Sequence, residues 1–368
     1  MARPEQASTS PSGKGISDMG LLARASSRHR SPSALASSLV ITSELDGWAS
    51  RWDHLVDLSA LPSPFLRSWW LRSAGGSDRL WLLVARDELL LGGIALQHVR
   101  RLGLPCLQMM GTGPLCPDHL DLVALPGHED TVVAVLRDWM RQGPQSVVDM
   151  RGIRAGSRLR ELLPGQVSSE SHAQSPFTQL PKALSDYPAG LRKTLRKASS
   201  RLAAEGVRHS VQRGSSVAHS LETLRKLHEA QWGDRSRFLP EFDRFVTACR
   251  RGSEFDEVAV HELRADENVI ATMVSLEVAG RVSLYQSARL TDARWRDSTI
   301  TLLHAIIADA SERGFKEVDF LRGDEAYKKN FAPHSRELLR LRSANGWAGR
   351  AALLSEEAAR KAKSILAR

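Results

Sequence analysis

Two short strings in opposite halves of the chain carry nearly the same letters. Residues 147–152 read Val-Val-Asp-Met-Arg-Gly, and residues 317–323 read Glu-Val-Asp-Phe-Leu-Arg-Gly. Each string follows a predicted helix that ends at a glycine, Gly143 in the first half and Gly314 in the second. We interpret the pair as the remains of an internal duplication, which requires the 368 residues to build one architecture twice.

The elements predicted before each string also come in the same order. In the first half, apolar runs at 80–85 and 89–97 flank a polar turn, a third strand follows at 104–110, and a helix spans 130–141. In the second half, strands are expected at 258–263, 269–278 and 282–288, followed by a helix at 299–313. Both halves therefore predict an α/β fold with mixed sheets.

The duplication and the composition divide the chain into four parts. Residues 1–38 hold ten serines and few large apolar residues, so we expect a disordered leader. A degenerate first domain is expected at 39–180, a second domain at 181–350, and a terminal helix at 351–368. No stretch reaches the about 20 apolar residues that span a bilayer, and the leader has no secretion-signal pattern, which predicts a cytoplasmic protein.

The positive charge of the chain is local. The formal net charge is +9, and two segments supply it: 1–38 has five basic residues against two acidic ones, and 187–213 has seven against one. The remainder is neutral, which argues against a DNA-binding surface. A predicted amphipathic helix carries most of the second excess, with Arg192, Lys193, Arg196, Lys197 and Arg201 on one face. That face is either solvated or binds an anion such as a nucleotide, a phosphorylated acceptor or tRNA.

The motifs of several enzyme classes are missing. The sequence has no GxSxG elbow, no Walker loop, no HExxH and no GxGxxG. Its three cysteines form no CxxC pair, which argues against a disulfide framework and a zinc module. The string Asp118-His119-Leu120-Asp121 has no partner ligand group nearby, so we interpret it as a polar loop and expect no metal.

The segment from Asp319 to Phe331 is the strongest candidate for chemistry. It places six charged residues at the exit of a buried strand, where ligands gather in α/β units. The first repeat keeps the Arg-Gly pair but continues as Ile153-Arg154-Ala155 and lacks the acidic pair and the Tyr-Lys. We therefore expect the working site in the second half. The alternative is that Asp319 and Arg322 form a buried ion pair and the lysines are solvated.

Three stretches resemble a known family. The string Leu227-His228-Glu229-Ala230-Gln231-Trp232, the basic helix before it and the segment from Asp319 to Phe331 resemble the CelD-like, cellulose-biosynthesis-associated acyltransferases. These belong to the GNAT superfamily and are close to the tandem-GNAT FemAB-like transferases. The resemblance covers roughly residues 60–345.

The resemblance implies a fold and an activity. The fold would be two tandem GNAT-like domains in a bacterial protein. The activity would be transfer of an acyl group from acyl-CoA to an amine or hydroxyl of a sugar, lipid or peptide precursor, in cell-envelope or exopolysaccharide synthesis. Because FemAB-like relatives use aminoacyl-tRNA, a tRNA-dependent transferase is one alternative, and a non-catalytic scaffold on a decayed GNAT fold is another.

The resemblance also assigns roles to residues. In a GNAT site, backbone N–H groups of a splayed strand hold the thioester carbonyl, and the donor pyrophosphate lies at the next helix start. The splayed strand would be 284–288, which contains Gln286, and Gln286 or Glu277 would orient the amine. The donor phosphates would bind Arg294, Arg296, Ser298 as the helix cap, and Thr299, and Gln286 would also contact the donor. Tyr327 would be the general acid, Asp324 or Glu325 would orient the acceptor, and Lys328 would anchor an anion.

The donor loop departs from the family pattern. The usual loop is Gln/Arg-x-x-Gly-x-Gly/Ala, whereas this chain has Arg294-Trp295-Arg296-Asp297-Ser298-Thr299, with no glycine between Arg281 and Arg313. Asp297 would repel a phosphate unless the arginines compensate, or unless Ser298 takes the glycine position and Asp297 points away. His228 lies on an apolar helix stripe and is interpreted as a core histidine rather than a base.

Overall fold

The structure is a computed structural model that describes residues 37–101, 103–323 and 325–366. The predicted disordered leader falls on residues outside this range, apart from its last two, and the candidate site residue Asp324 also lies outside it. Within the described chain, no helix is long and apolar enough to cross a bilayer. The same residues contain no group of three or more His, Cys, Asp or Glu side chains that could hold a metal ion.

The first half contains seven strands and four helices among the described residues. They are β1 (Ser38–Thr42), α1 (Ala49–Leu58), α2 (Ser68–Ala74), β2 (Arg79–Arg86), β3 (Leu89–Arg101), β4 (Leu104–Met109), β5 (Val123–Ala124), α3 (Glu129–Gln142), β6 (Ser146–Arg154), α4 (Leu159–Leu162) and β7 (Ser168–Gln179). The hairpin of β2 and β3 and the helix α3 lie where apolar periodicity predicts them.

The second half repeats this order after one additional helix. Its elements are α5 (Ala189–Ala204), β8 (Val207–Gln212), α6 (Val217–Trp232), α7 (Phe242–Ser253), β9 (Val258–Ala265), β10 (Asn268–Val278), β11 (Arg281–Arg289), α8 (Ser298–Glu312), β12 (Glu317–Asp319), α9 (Ala326–Phe331), β13 (His334–Asn345) and α10 (Gly346–Leu366). Apart from the short β5, the run from β8 to β13 matches the run from β1 to β7, which confirms the predicted duplicated α/β fold.

All the described strands form one sheet whose order is a palindrome of the two halves. The order is β1-β2-β3-β4-β6-β13-β7-β12-β11-β10-β9-β8, with β5 beside β3. The last strand of each half is exchanged: β13 pairs with β6, β7 pairs with β12, and the two exchanged strands pair with each other. Each half therefore completes its sheet with a strand from the other, and the division into domains at 180 stays a prediction.

Equivalent helices of the two halves also pack together. The ring of Trp69 on α2 lies against Gly252 on α7, where an added Cβ would come within 3.1 Å of the indole. The indole N–H of Trp69 donates to the Glu257 carboxylate over 2.6 Å, and Arg67 pairs with the same carboxylate at 2.5 Å. A second apolar core lies between α5, α8 and α9 and contains Leu195, Leu303 and Phe331. This core fixes α5 against α8.

Candidate functional site

The parallel strands β11 and β12 separate and leave a wedge between them. They pair only over residues 281–283 and 317–319, whereas β11 stays paired with β10 as far as Arg289. A bulge at Tyr285 bends β11 at the point where the strands separate. A cavity of about 660 Å³ occupies the wedge. Beyond residue 283, the β11 edge that faces the cavity has no strand partner within the described chain, so its backbone can bind a ligand amide or carbonyl.

The cavity brings together most of the site residues predicted from the sequence. Its lining includes Gln286, Arg296, Thr299, Glu325, Tyr327 and Lys328. Arg294 and Ser298 are not part of the lining: Arg294 is exposed and paired with Glu205, and Ser298 is buried at the start of α8. Glu277 also lies outside the lining, and its carboxylate binds Arg213 and Arg313 at 2.8 Å each.

The start of α8 corrects one prediction and shows the contacts of the Asp297 carboxylate. The N-cap residue is Asp297 and not Ser298, whose hydroxyl is buried without a hydrogen-bond partner. The Asp297 carboxylate binds Arg201 of α5 at 2.8 Å. The same carboxylate lies 3.9 Å from Arg296, so both sequence-based alternatives for Asp297 stay open. The first N–H groups of α8 have no intrahelical partner and are available to an anion.

Tyr327 forms one wall of the cavity from α9. Burial raises the pKa of its phenol to about 12, and the Glu325 carboxylate adds to the shift. The phenol therefore stays protonated at neutral pH. A protonated phenol at the edge of a cavity can donate a proton to a leaving group.

The contacts of Lys328, next to Tyr327, neutralise its charge and hold the turn before α9. Lys328 is buried, its ammonium group donates to the Arg322 carbonyl over 2.9 Å, and it pairs with Glu325 at 2.9 Å. The alternative in which both lysines are solvated is therefore wrong for Lys328 and right for Lys329, which is exposed, and the role of Lys328 as an anion anchor stays a prediction. Gly323 has φ +138°, and a Cβ there would lie 2.5 Å from the Lys328 nitrogen, so this turn requires glycine.

Asp319 and Arg322 are both ion-paired, but with other partners. Asp319 accepts hydrogen bonds from Arg281 at 2.7 Å and from Ser175 at 2.8 Å, and it pairs with His119 at 2.8 Å. Burial alone would raise the pKa of Asp319, but His119 and Arg281 hold it below its ordinary value. Arg322 pairs with Asp118 instead. The string 118–121, predicted to be a polar loop, is thus buried against the second half.

The corresponding wedge of the first half is closed. After β4, the chain returns to β6: the Leu120 amide donates to the Gly152 carbonyl over 2.8 Å, and the Arg154 amide donates to the Leu120 carbonyl over 3.1 Å. The equivalent helix α3 begins with Glu129 and Asp130, which disfavour an anion at its N-terminus. These features agree with a working site in the second half.

The loop that closes the first wedge forms a wall of the second. Leu115 and Cys116 line the cavity, and the Tyr285 hydroxyl donates to the Leu115 carbonyl over 2.7 Å. Sequence reasoning missed this contribution. Gly111, Gly113 and Pro114 indicate a loop, but no local pattern shows which part of the fold a loop reaches.

Three aromatic side chains form a further wall of the cavity. It consists of His228 and Trp232 of α6 with Phe238 of the following loop, and Trp232 is 44% exposed. The ring nitrogens of His228 lie 2.8 Å from the Ser236 hydroxyl and 3.1 Å from the Gln286 amide. Burial lowers the pKa of His228, so the ring is neutral at pH 7. His228 is buried as its apolar stripe predicts, and it also lines the cavity, which sequence reasoning missed.

Comparison with known proteins agrees with this geometry. Residues 189–329 match a family model described as an acetyltransferase (GNAT) domain. No curated protein matched the sequence at a significant level. The second half therefore contains a GNAT-type domain, and the matched residues include β11, α8 and most of α9.

Solved structures show the same fold over most of the chain. FemX superposes with a TM-score of 0.58 at 11% identity, over 79% of this chain and 95% of FemX. L-PGS from Bacillus licheniformis gives 0.56 at 13% identity, over 85% of this chain and 96% of that one. A C-terminal domain assigned to a lysylphosphatidylglycerol synthetase from Agrobacterium fabrum gives 0.55 at 15% identity, over 84% and 95%. At these identities the likeness establishes the fold alone.

Proposed function

We propose that this protein is a GNAT-type acyltransferase that moves an acyl group from a pantetheine thioester, such as acyl-CoA, to an amine or hydroxyl acceptor. One observation carries the proposal. The open wedge between β11 and β12 places the free β11 edge, the α8 N-terminus and the protonated phenol of Tyr327 on a single cavity. The GNAT-domain match over the same residues supports it.

Each cavity residue has a role in the proposed reaction. The thioester carbonyl would accept hydrogen bonds from the β11 backbone near Gln286, where its developing negative charge is stabilised. The acceptor nitrogen forms a bond to the carbonyl carbon, the carbon–sulfur bond breaks, and Tyr327 gives its proton to the leaving thiolate. The proton lost by the acceptor passes to water and returns the phenol to its acid form. Glu325, or Asp324 beside it, would orient the acceptor.

The remaining assignments concern the donor and the acceptor. Arg296 and Thr299 would bind donor phosphate beside the α8 start, and Lys328 would hold the turn that carries Glu325. The aromatic wall of Trp232 and Phe238 suits an acceptor with a flat or ring-shaped apolar face. A sugar, lipid or peptide precursor of the cell envelope, as CelD-like relatives imply, fits that description.

Two alternatives use the same fold. A FemAB-like transferase would take aminoacyl-tRNA, and the FemX fold and the basic face of α5 favour it. A scaffold without activity would not need an open cavity around a protonated tyrosine. Binding to nucleic acid is largely electrostatic and is therefore strongest at low salt. If no tRNA binding is detected at low salt, the first alternative is excluded.

Thiol release from acetyl-CoA and acetyl-pantetheine, measured with a panel of amines, tests the proposal. We expect release above the rate without protein, and a thermal shift with acetyl-CoA. A ligand at 100 times its dissociation constant adds about 2.7 kcal/mol of stability, which such a shift readily detects. If neither thioester releases thiol and neither stabilises the protein, the proposal is wrong.

A further inference from the structure

Helix α5 runs along the helix that borders the cavity mouth. Arg201, near the end of α5, binds Asp297 at the start of α8 over 2.8 Å. The segment before α5 lies at the opposite end of α8, where the Lys182 amide donates to the Ser311 hydroxyl over 3.2 Å. The two helices are therefore antiparallel. The C-terminal end of α5 therefore lies near the cavity mouth, and the exposed face of the helix extends from there toward its N-terminal end.

That face carries cations that no described residue neutralises. Lys193, Arg196 and Lys197 are exposed and make no hydrogen bond or ion pair with any described residue. With a rise of about 1.5 Å per residue, Lys193 lies about 12 Å along the helix from Arg201. A strip of one sign and this length attracts an anionic partner that is larger than one phosphate group.

Near the α8 start, the arginines at the cavity mouth lie close to carboxylates, whereas Arg289, which also lines the cavity, donates to the Leu290 carbonyl. Arg294 is paired with Glu205, Arg201 is paired with Asp297, and Arg296 lies 3.9 Å from the same Asp297 carboxylate. CoA carries a pyrophosphate and a 3′-phosphate, whereas the phosphopantetheine arm of a carrier protein carries a single phosphodiester. A glycine-free loop with paired arginines suits the single phosphate better.

We propose that the preferred donor is an acyl group on the phosphopantetheine arm of a small acidic carrier protein, whose acidic surface docks on Lys193, Arg196 and Lys197 while its arm enters the wedge. This rests on the proposed function. The bond changes are the same, and the carrier leaves with a free thiol that holds the proton from Tyr327. The exposed face of α5 has no aromatic side chain on which nucleic-acid bases could stack, which favours a protein over single-stranded nucleic acid.

Binding measurements with four probes test this inference. The probes are a holo acyl carrier protein with its phosphopantetheine arm, the same carrier without the arm, CoA, and deacylated tRNA, each at about 150 mM salt. We expect the holo carrier to bind at least about tenfold more tightly than CoA and than the carrier without the arm. The affinity for tRNA should be lower than for the holo carrier.

Charge reversal on α5 supplies the second comparison. The triple variant Lys193→Glu, Arg196→Glu, Lys197→Glu should weaken binding of the holo carrier by at least about tenfold more than it weakens binding of CoA. The matched control is Arg100→Glu, Arg141→Glu, Arg160→Glu, three exposed cations of the first half that pair with no residue in the described part of the chain. The control should change carrier affinity by less than about threefold.

Three results would overturn the inference while leaving the proposed function intact. The first is that CoA binds as tightly as the holo carrier. The second is that the α5 variant loses no more carrier affinity than the control, and the third is that tRNA binds more tightly than the carrier. Failure of the proposed function has a different signature: neither CoA nor the holo carrier binds, and no thioester releases its thiol.

Discussion

Tyr327 lies on the cavity wall, and its raised pKa keeps the phenol protonated at neutral pH. We expect Tyr327→Phe to lower turnover at least about tenfold with little change in donor KM, because the hydroxyl acts on the leaving thiolate only in the transition state. Steady-state transfer measures this effect. Tyr187→Phe is the matched control, since Tyr187 is buried in the α5–α8 core and its hydroxyl has no hydrogen-bond partner among the described residues. Turnover of Tyr327→Phe within twofold of the parent would remove this residue from the mechanism.

Asp319 joins the two halves through one buried carboxylate. We expect Asp319→Asn to lower the free energy of unfolding by about 3 kcal/mol at pH 7, because buried His119 would lose its carboxylate partner and buried Arg281 would keep only Glu317. Denaturant unfolding measures the loss. The control is Asp130→Asn, whose carboxylate is 94% exposed and pairs with Arg158 at the surface. Equal stabilities of the two variants would contradict this account.

The same carboxylate gives a pH dependence with a defined sign. The pKa of Asp319 in the folded state lies below its ordinary value. Its contribution to stability is therefore fully present above the unfolded pKa of about 3.9 and is lost as the pH falls from there through the folded pKa. In Asp319→Asn, the decrease of stability below pH 4 should be shallower than in the parent protein.

At the scale of elements, the site depends on one wedge that is open and another that is closed. Gly152 sits in the closed wedge with φ +70°, and a Cβ there would lie 2.5 Å from the Pro117 carbonyl oxygen. Gly156 has φ +80° and open space around it. The two glycines have similar positive φ angles, but only at Gly152 would an added Cβ clash with a neighbour.

Alanine substitutions at Gly152 and Gly156 distinguish the cost of a left-handed backbone from the cost of a steric clash. Gly156→Ala should cost about 1 kcal/mol, from the left-handed backbone alone. Gly152→Ala should cost at least about 1 kcal/mol more, because the loop that holds Leu115 against the cavity must shift. Urea unfolding of both variants measures the difference. Equal costs would mean that the loop does not press on Gly152.

The elements that sequence predicts well are those with local signals. The strand expected at 282–288 is β11, Arg281–Arg289, and the helix expected at 299–313 is α8, Ser298–Glu312. Apolar periodicity and the glycine after α8 define both within one residue. The strand β7 was missed because its sequence, Ser-Ser-Glu-Ser-His-Ala-Gln-Ser-Pro-Phe-Thr-Gln, is polar and pairs between two other strands instead of covering a core.

Most of the candidate site was also predictable, and the reason is the same. Tyr327 and Thr299 follow predicted elements at short range, so the fold brings them together once β11 and β12 are placed. The strand exchange and the wall formed by Leu115 and Cys116 depend on pairing between residues far apart in sequence. A single sequence carries no local signal for such pairing.

At the scale of the whole molecule, the exchange of β7 and β13 makes each half incomplete without the other. The second half alone would lose β7 beside β12, and the cavity would lose the wall at residues 115–116. We therefore expect a fragment of residues 181–368 to lack cooperative unfolding, because an uncovered sheet edge and an exposed apolar face remain. Thermal unfolding followed by circular dichroism measures this. A fragment that unfolds cooperatively and binds acetyl-CoA would contradict the expectation.

The central claim is that a single working site lies in the wedge between β11 and β12. The most direct measurement is a crystal structure with a non-hydrolysable amide analogue of acetyl-CoA. We predict one bound molecule, with its acyl carbonyl against the β11 backbone near Gln286 and the atom that replaces sulfur beside the Tyr327 hydroxyl. An analogue bound between β4 and β6, or at any place from which Tyr327 cannot reach it, would contradict the claim.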